Sequence, residues 1–167
     1  APALVRIAKT TLGGTGTFDF ETTNLAAAPA PVSVATAAIG TPSAAPPYAA
    51  TALSTQVLLT ETVPAGWRLT GATCSDANAA VTGNAGSFGA LSGNQLTVPA
   101  AFVEPGADIT CTFTNEKLAR LVVQKTANGG PGTFGFSATG GLAPASFGLS
   151  PTMAVPTQTQ TFADLLP

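Results

Sequence analysis

Apolar and polar residues alternate with a period of two over several short stretches, and glycine- or proline-rich turns separate them. That pattern predicts β-strands with one buried face. Leu4 to Thr10 puts Val5, Ile7 and Lys9 on one side, and Gln56 to Glu61 does the same for Val57, Leu59 and Glu61. In Ile109 to Asn115, the residues Ile109, Cys111, Phe113 and Asn115 alternate with three threonines. Leu12 to Gly16 predicts a tight turn that returns as a strand from Thr17 to Phe20, with Phe18 and Phe20 inward. No Gly-Lys-Ser/Thr follows its glycines, so a phosphate loop is not indicated. Between Asn24 and Thr55, Val32 to Val34 and Ala38 to Ile39 are candidate edge strands. Further on, Val63 to Trp67 is a turn and Leu69 to Cys74 a strand. Ser75 to Gly93 is a loop or hairpin, Gln95 to Val98 a short strand and Glu104 to Ala107 a turn.

The opening pattern then recurs. Lys9-Thr-Thr-Leu-Gly-Gly-Thr-Gly-Thr-Phe-Asp-Phe20 aligns with Lys125-Thr-Ala-Asn-Gly-Gly-Pro-Gly-Thr-Phe-Gly-Phe136, and both 125 minus 9 and 134 minus 18 equal 116. A repeat of domain size implies tandem units. Residues 1–117 form one complete β-sandwich, and 118–167 form the first half of a second repeat. That half lacks counterparts of Glu61, the cysteines and Asn115, so further chain or strands of a neighbouring subunit complete it. The expected linker, Glu116 to Arg120, is short and favours a stiff rod.

Composition supports the all-β class. Only 8% of the 167 residues are charged, and Ala, Thr, Gly and Pro dominate, a mixture poor in strong helix formers. The net charge of -2 leaves no electrostatic footprint for nucleic acid. Residues 22–60 carry no charge, but five prolines interrupt them, which argues against a membrane-spanning helix. The chain shows neither an initiator Met nor a signal peptide, as expected of a mature or excerpted sequence. Cys74 and Cys111, with no His to assist, are too few for a zinc site. A disulfide is the natural reading and implies an oxidising compartment, two buried thiols being the alternative.

Lys9, Glu61 and Asn115 sit on the face that apolar residues assign to the core, as does Lys125 in the second repeat. Burying charge without a partner costs several kcal/mol, so the first three should converge. One outcome is a Lys–Glu ion pair with Asn as a bystander. The other is a covalent bond: in an apolar site an amine loses its proton readily and can attack the Asn carbonyl, while the acid polarises the oxygen and relays a proton to departing ammonia. No cofactor is needed.

Lys9 in the first strand, Thr60-Glu-Thr-Val-Pro-Ala-Gly-Trp67 and Thr112-Phe-Thr-Asn115 resemble the prealbumin-like domains of bacterial surface proteins, the Cna protein B-type or SpaA-like family. The resemblance covers residues 3–117 and restarts near 118. It implies a transthyretin/prealbumin-like (Ig-like) β-sandwich and an isopeptide bond between Lys9 and Asn115 assisted by Glu61 as catalytic acid, with Lys125 the matching lysine of the next unit. It implies an extracellular or cell-surface structural protein of a fibre, pilus or adhesin stalk, whose partners are adjacent repeats or other copies of itself. An adhesin or carbohydrate-binding module using Tyr48 or Phe88 as loop anchors is the alternative. A turnover enzyme is not indicated, since no motif places an acid pair or a ligand cluster.

Overall fold

A computed structural model describes residues 1–166. They form two compact units that divide at Lys117/Leu118.

The first unit is a sandwich of two sheets. Its strands in chain order are β1 (Leu4–Leu12), β2 (Thr17–Thr22), β3 (Val32–Ala35), β4 (Ser43–Ala44), β5 (Tyr48–Ala49) and β6 (Val57–Thr62). They continue with β7 (Trp67–Asp76), β8 (Ala90–Ser92), β9 (Gln95–Val98) and β10 (Asp108–Lys117), with a one-turn helix α1 (Ala79–Thr82) after β7. One sheet runs β4-β1-β10-β7, with β5 also on β1, and the other runs β3-β2-β6-β9-β8. The inward residues of both, among them Val5, Ile7, Phe18, Phe20, Val57, Leu59, Leu96, Ile109 and Phe113, make one core cluster. Burying each such side chain is worth about 1.5–3 kcal/mol over leaving it exposed.

The strand alternation holds, and its departures have local causes. The glycine-rich turn after β1 does not close a hairpin; it carries the chain from one sheet to the other, so β1 and β2 are never neighbours. Gly13 there has φ of 79°, a left-handed conformation that favours glycine. Ala38 and Ile39 form no strand; the chain reaches β1 instead through β4 and β5. Trp67 opens β7 rather than ending a turn, because it pairs with Lys117 and packs edge-on against Phe18 at 5.1 Å. Ser75 to Gly93 holds both α1 and the start of a β8–β9 hairpin.

The second unit comprises β11 (Ala119–Thr126), β12 (Phe134–Ser137), β13 (Ser146–Leu149) and β14 (Thr157–Leu165). They make two antiparallel pairs, β11-β14 and β12-β13. Phe147 stacks on Phe136 and meets Phe162 edge-on, forming a small core with Leu149. Residues expected to be a five-residue linker are strand on both sides, leaving Leu118 alone between β10 and β11.

Candidate functional site

β1 and β10 are neighbours and parallel, in a register that opposes Lys9 to Phe113 and Thr11 to Asn115. Lys9 and Asn115 both project inward from this sheet. Glu61 comes from the facing sheet, where β6 sets it opposite Phe20. A bulge between Thr114 and Asn115 leaves Thr70 unpaired, so that Leu69 opposes Asn115 and both face the core. Thr70 then donates its hydroxyl to the Thr114 carbonyl at 3.0 Å, which holds the bulge.

All three polar side chains are buried and satisfy one another. Lys9 Nζ donates to both Glu61 oxygens at 3.0 Å and to Asn115 Oδ1 at 2.5 Å. Asn115 Nδ2 in turn donates to Glu61 Oε1 at 2.5 Å. Since a carbonyl bond is about 1.23 Å long, Nζ lies within about 3.7 Å of Asn115 Cγ. Phe18, Phe20 and Phe113 surround the amine, with centroids 4.4, 5.9 and 5.9 Å from Nζ. Burial lowers the Lys9 pKa from 10.5 to about 8, against the charge and hydrogen bond of Glu61, which pull it up.

The structure thus brings together the three residues that strand parity singled out. It differs from expectation in one contact: Glu61 faces the amide nitrogen of Asn115, while its oxygen faces Lys9. Three features of the surroundings escaped sequence reasoning. The aromatic wall around Lys9 had a signal in the inward parity of Phe18, Phe20 and Phe113. Thr11 lies on the parity of Lys9 and donates to Thr36 at 3.1 Å, continuing the buried polar row. The bulge beside Asn115 had no signal, since it arises only from pairing with β7.

Cys74 and Cys111 are direct cross-strand partners and form a disulfide. It ties β7 to β10 two register places from Phe113. Lys125 lies far from these groups in sequence, with Nζ over the Phe134 ring at 4.0 Å. Of the proposed loop anchors, Phe88 is buried and stacked on Phe102, and Tyr48 packs against the core. Among the described residues no group of His, Cys, Asp and Glu could hold a metal, and no helix is long and apolar enough to cross a membrane.

A two-sheet sandwich whose first and last strands lie side by side over a buried Lys–Glu–Asn cluster defines a structural β-domain. The family model described as a prealbumin-like fold domain of the SpaA type matches residues 5–117, and the chain belongs to that family. The match ends where the first unit ends. Comparisons with curated proteins and with solved structures returned no match.

Proposed function

We propose that this chain is a load-bearing segment of an extracellular bacterial fibre, pilus or adhesin stalk, whose first unit is locked by an isopeptide bond between Lys9 and Asn115. The buried Lys9–Glu61–Asn115 cluster carries this reading. Family membership and the Cys74–Cys111 disulfide support it, since disulfides persist in oxidising compartments.

The chemistry follows from the contacts. Lys9 passes a proton to Glu61 across 3.0 Å, leaving a neutral amine that attacks Asn115 Cγ. The Nζ–Cγ bond forms and the Cγ–Nδ2 bond breaks. Glu61 gives its proton to Nδ2, beside which it sits, and receives the second amine proton. Ammonia departs and Glu61 ends as the neutral acid. A buried ion pair is thereby replaced by an amide and an uncharged carboxyl, which removes a desolvation cost. The reaction happens once per chain, without turnover.

The topology explains why such a bond would matter. β1 and β10 run parallel, so tension on the two ends of the unit pulls them in opposite directions and loads their nine register pairs together. A Lys9–Asn115 bond bridges those strands directly, and the segment between them cannot extend. Intact-protein mass after reduction tests the bond: the expected value is one ammonia below that of the sequence, and the full sequence mass would exclude it. Single-molecule pulling tests the mechanics, with residues 10–114 adding no length in the native chain and adding length in Asn115→Ala once the disulfide is reduced.

A further inference from the structure

Six asparagines stand in the chain, and Asn128 alone is followed by glycine. Asn24, Asn78, Asn84 and Asn115 each donate a side-chain N–H to a neighbouring group. Asn94 is exposed but precedes Gln95. Asn128 is exposed in the turn between β11 and β12, and among the described residues its amide has no hydrogen-bond partner. The N–H of Gly129 beside it is likewise without an acceptor.

The backbone is open here as well. Gly129 has φ of 94°, a conformation that other residues rarely adopt, and apart from its chain neighbours no atom lies within 4 Å of where a Cβ would stand. Nothing therefore shields the Gly129 nitrogen from the Asn128 side-chain carbonyl. The exposure is a property of the turn. In the first unit, where both sheets are present, Leu12 takes the place 116 residues earlier and is 43% exposed.

We infer that Asn128–Gly129 is a site of spontaneous covalent modification, at which the asparagine passes through a succinimide to aspartate and isoaspartate. The Gly129 nitrogen gives its proton to solvent base and bonds to Asn128 Cγ. The Cγ–Nδ2 bond breaks, and ammonia leaves with a proton from water. Water then opens the ring, at the side-chain carbonyl to give isoaspartate when the main-chain link is the one broken, or aspartate when the new link is broken. The balance is one water consumed and one ammonia released, with no oxidant or reductant. Glycine permits the closure because its nitrogen is unhindered and its backbone is free to rotate.

The products alter the unit in two ways. Isoaspartate adds a methylene to the main chain of the turn, and either product adds a carboxylate. Arg120, Lys125 and Asp164 are the charged side chains from residue 118 onward, so the formal charge of that stretch falls from +1 to 0. The first unit cannot follow this course, because Leu12 has no side-chain carbonyl. The inference is independent of the Lys9 crosslink, although each reaction releases one ammonia.

The test incubates the full chain in mildly alkaline buffer and follows it by ion exchange and by mass of the tryptic peptide that begins at Thr126. A more acidic species should accumulate, with the fragment spectrum placing the change at Asn128 and isoaspartyl methyltransferase labelling part of it. Asn128→Gln, which must close a larger ring, should slow the change by about tenfold, equivalent to about 1.4 kcal/mol in barrier. The result should be the same in Asn115→Ala, which removes the other ammonia loss. Hydroxylamine separates the two reactions in the native chain, cleaving it at a succinimide but leaving a Lys9–Asn115 amide intact. Survival of Asn128 under conditions that convert a free peptide of residues 125–131 overturns the inference, as does equally fast conversion of Asn94.

Discussion

Lys9 Nζ and Asn115 Oδ1 stand 2.5 Å apart although 106 residues separate them in the chain. The contact exists because the first and last strands of the unit are parallel neighbours, and its stability depends on Glu61. In Lys9→Met the Glu61 carboxylate stays buried with no cation beside it. Removing one member of a buried pair costs about 3–5 kcal/mol, so the variant should be about that much less stable than Asn115→Ala, which keeps Lys9 and Glu61 as an uncrosslinked pair, and it should show its full sequence mass. Adding Glu61→Gln removes the stranded charge and should restore part of the loss. Urea titration of both variants checks this, and equal stability of the single and double variants would refute a role for the buried charge.

The disulfide closes a segment with a sequence separation of 37. By loop-closure entropy a bridge of that span contributes about 4 kcal/mol. Cys74→Ala combined with Cys111→Ala should therefore lower the denaturant midpoint while leaving the ammonia-loss mass of the first unit unchanged, because the two staples join different strand pairs. Denaturant titration and intact mass of the same sample measure both. A variant that lost the crosslink together with the disulfide would show that formation of the Lys9 site depends on the β7–β10 tie.

The strand parities were legible because a strand's side-chain direction is a local property: each of Lys9, Glu61 and Asn115 could be assigned inward from four or five neighbours. The repeat was legible for the same reason, as Lys125 and Phe134 keep the spacing of Lys9 and Phe18. Pairing between strands was not legible. β10 pairs with the edge of β1 that β4 and β5 do not occupy, and those two-residue strands carry no periodicity to detect. The orientation of the Asn115 amide was equally hidden, since it is set by which of its two neighbours donates. Asp76 was hidden by its chemistry: its partners are loop backbone and hydroxyl groups, which follow no hydrophobic period.

Asp76, buried at the end of β7, anchors the segment that contains α1. One carboxylate oxygen accepts from the backbone N–H of Asn78 and Asp108 at 2.8 and 2.9 Å. The other accepts from the Thr82 hydroxyl at 2.7 Å and the Asn84 amide at 3.1 Å. Burial alone would raise the Asp76 pKa, but these hydrogen bonds outweigh it and hold the value below 3.8. A carboxyl with a depressed folded pKa contributes stability that is complete above its unfolded value and lost as pH falls through the folded one. The stability advantage of the native chain over Asp76→Asn should therefore shrink on acidification from about pH 5 to about pH 2. Unfolding free energies of the two chains measured across that range give the answer, and a constant difference would mean that the carboxylate charge contributes nothing.

The two units should differ in resistance to local opening. The first buries a continuous core between two five-stranded sheets and is tied by a disulfide, whereas the second has two two-stranded sheets with Leu121, Val122 and Phe134 exposed. Regions with few buried apolar contacts open at lower free energy than a packed core. Limited proteolysis of the native chain should accordingly cut first between residues 118 and 166 and leave a core fragment ending near Lys117. Amides of β11 to β14 should exchange with solvent deuterium faster than those of β1, β6 and β10. Equal exchange rates in the two units would refute the difference.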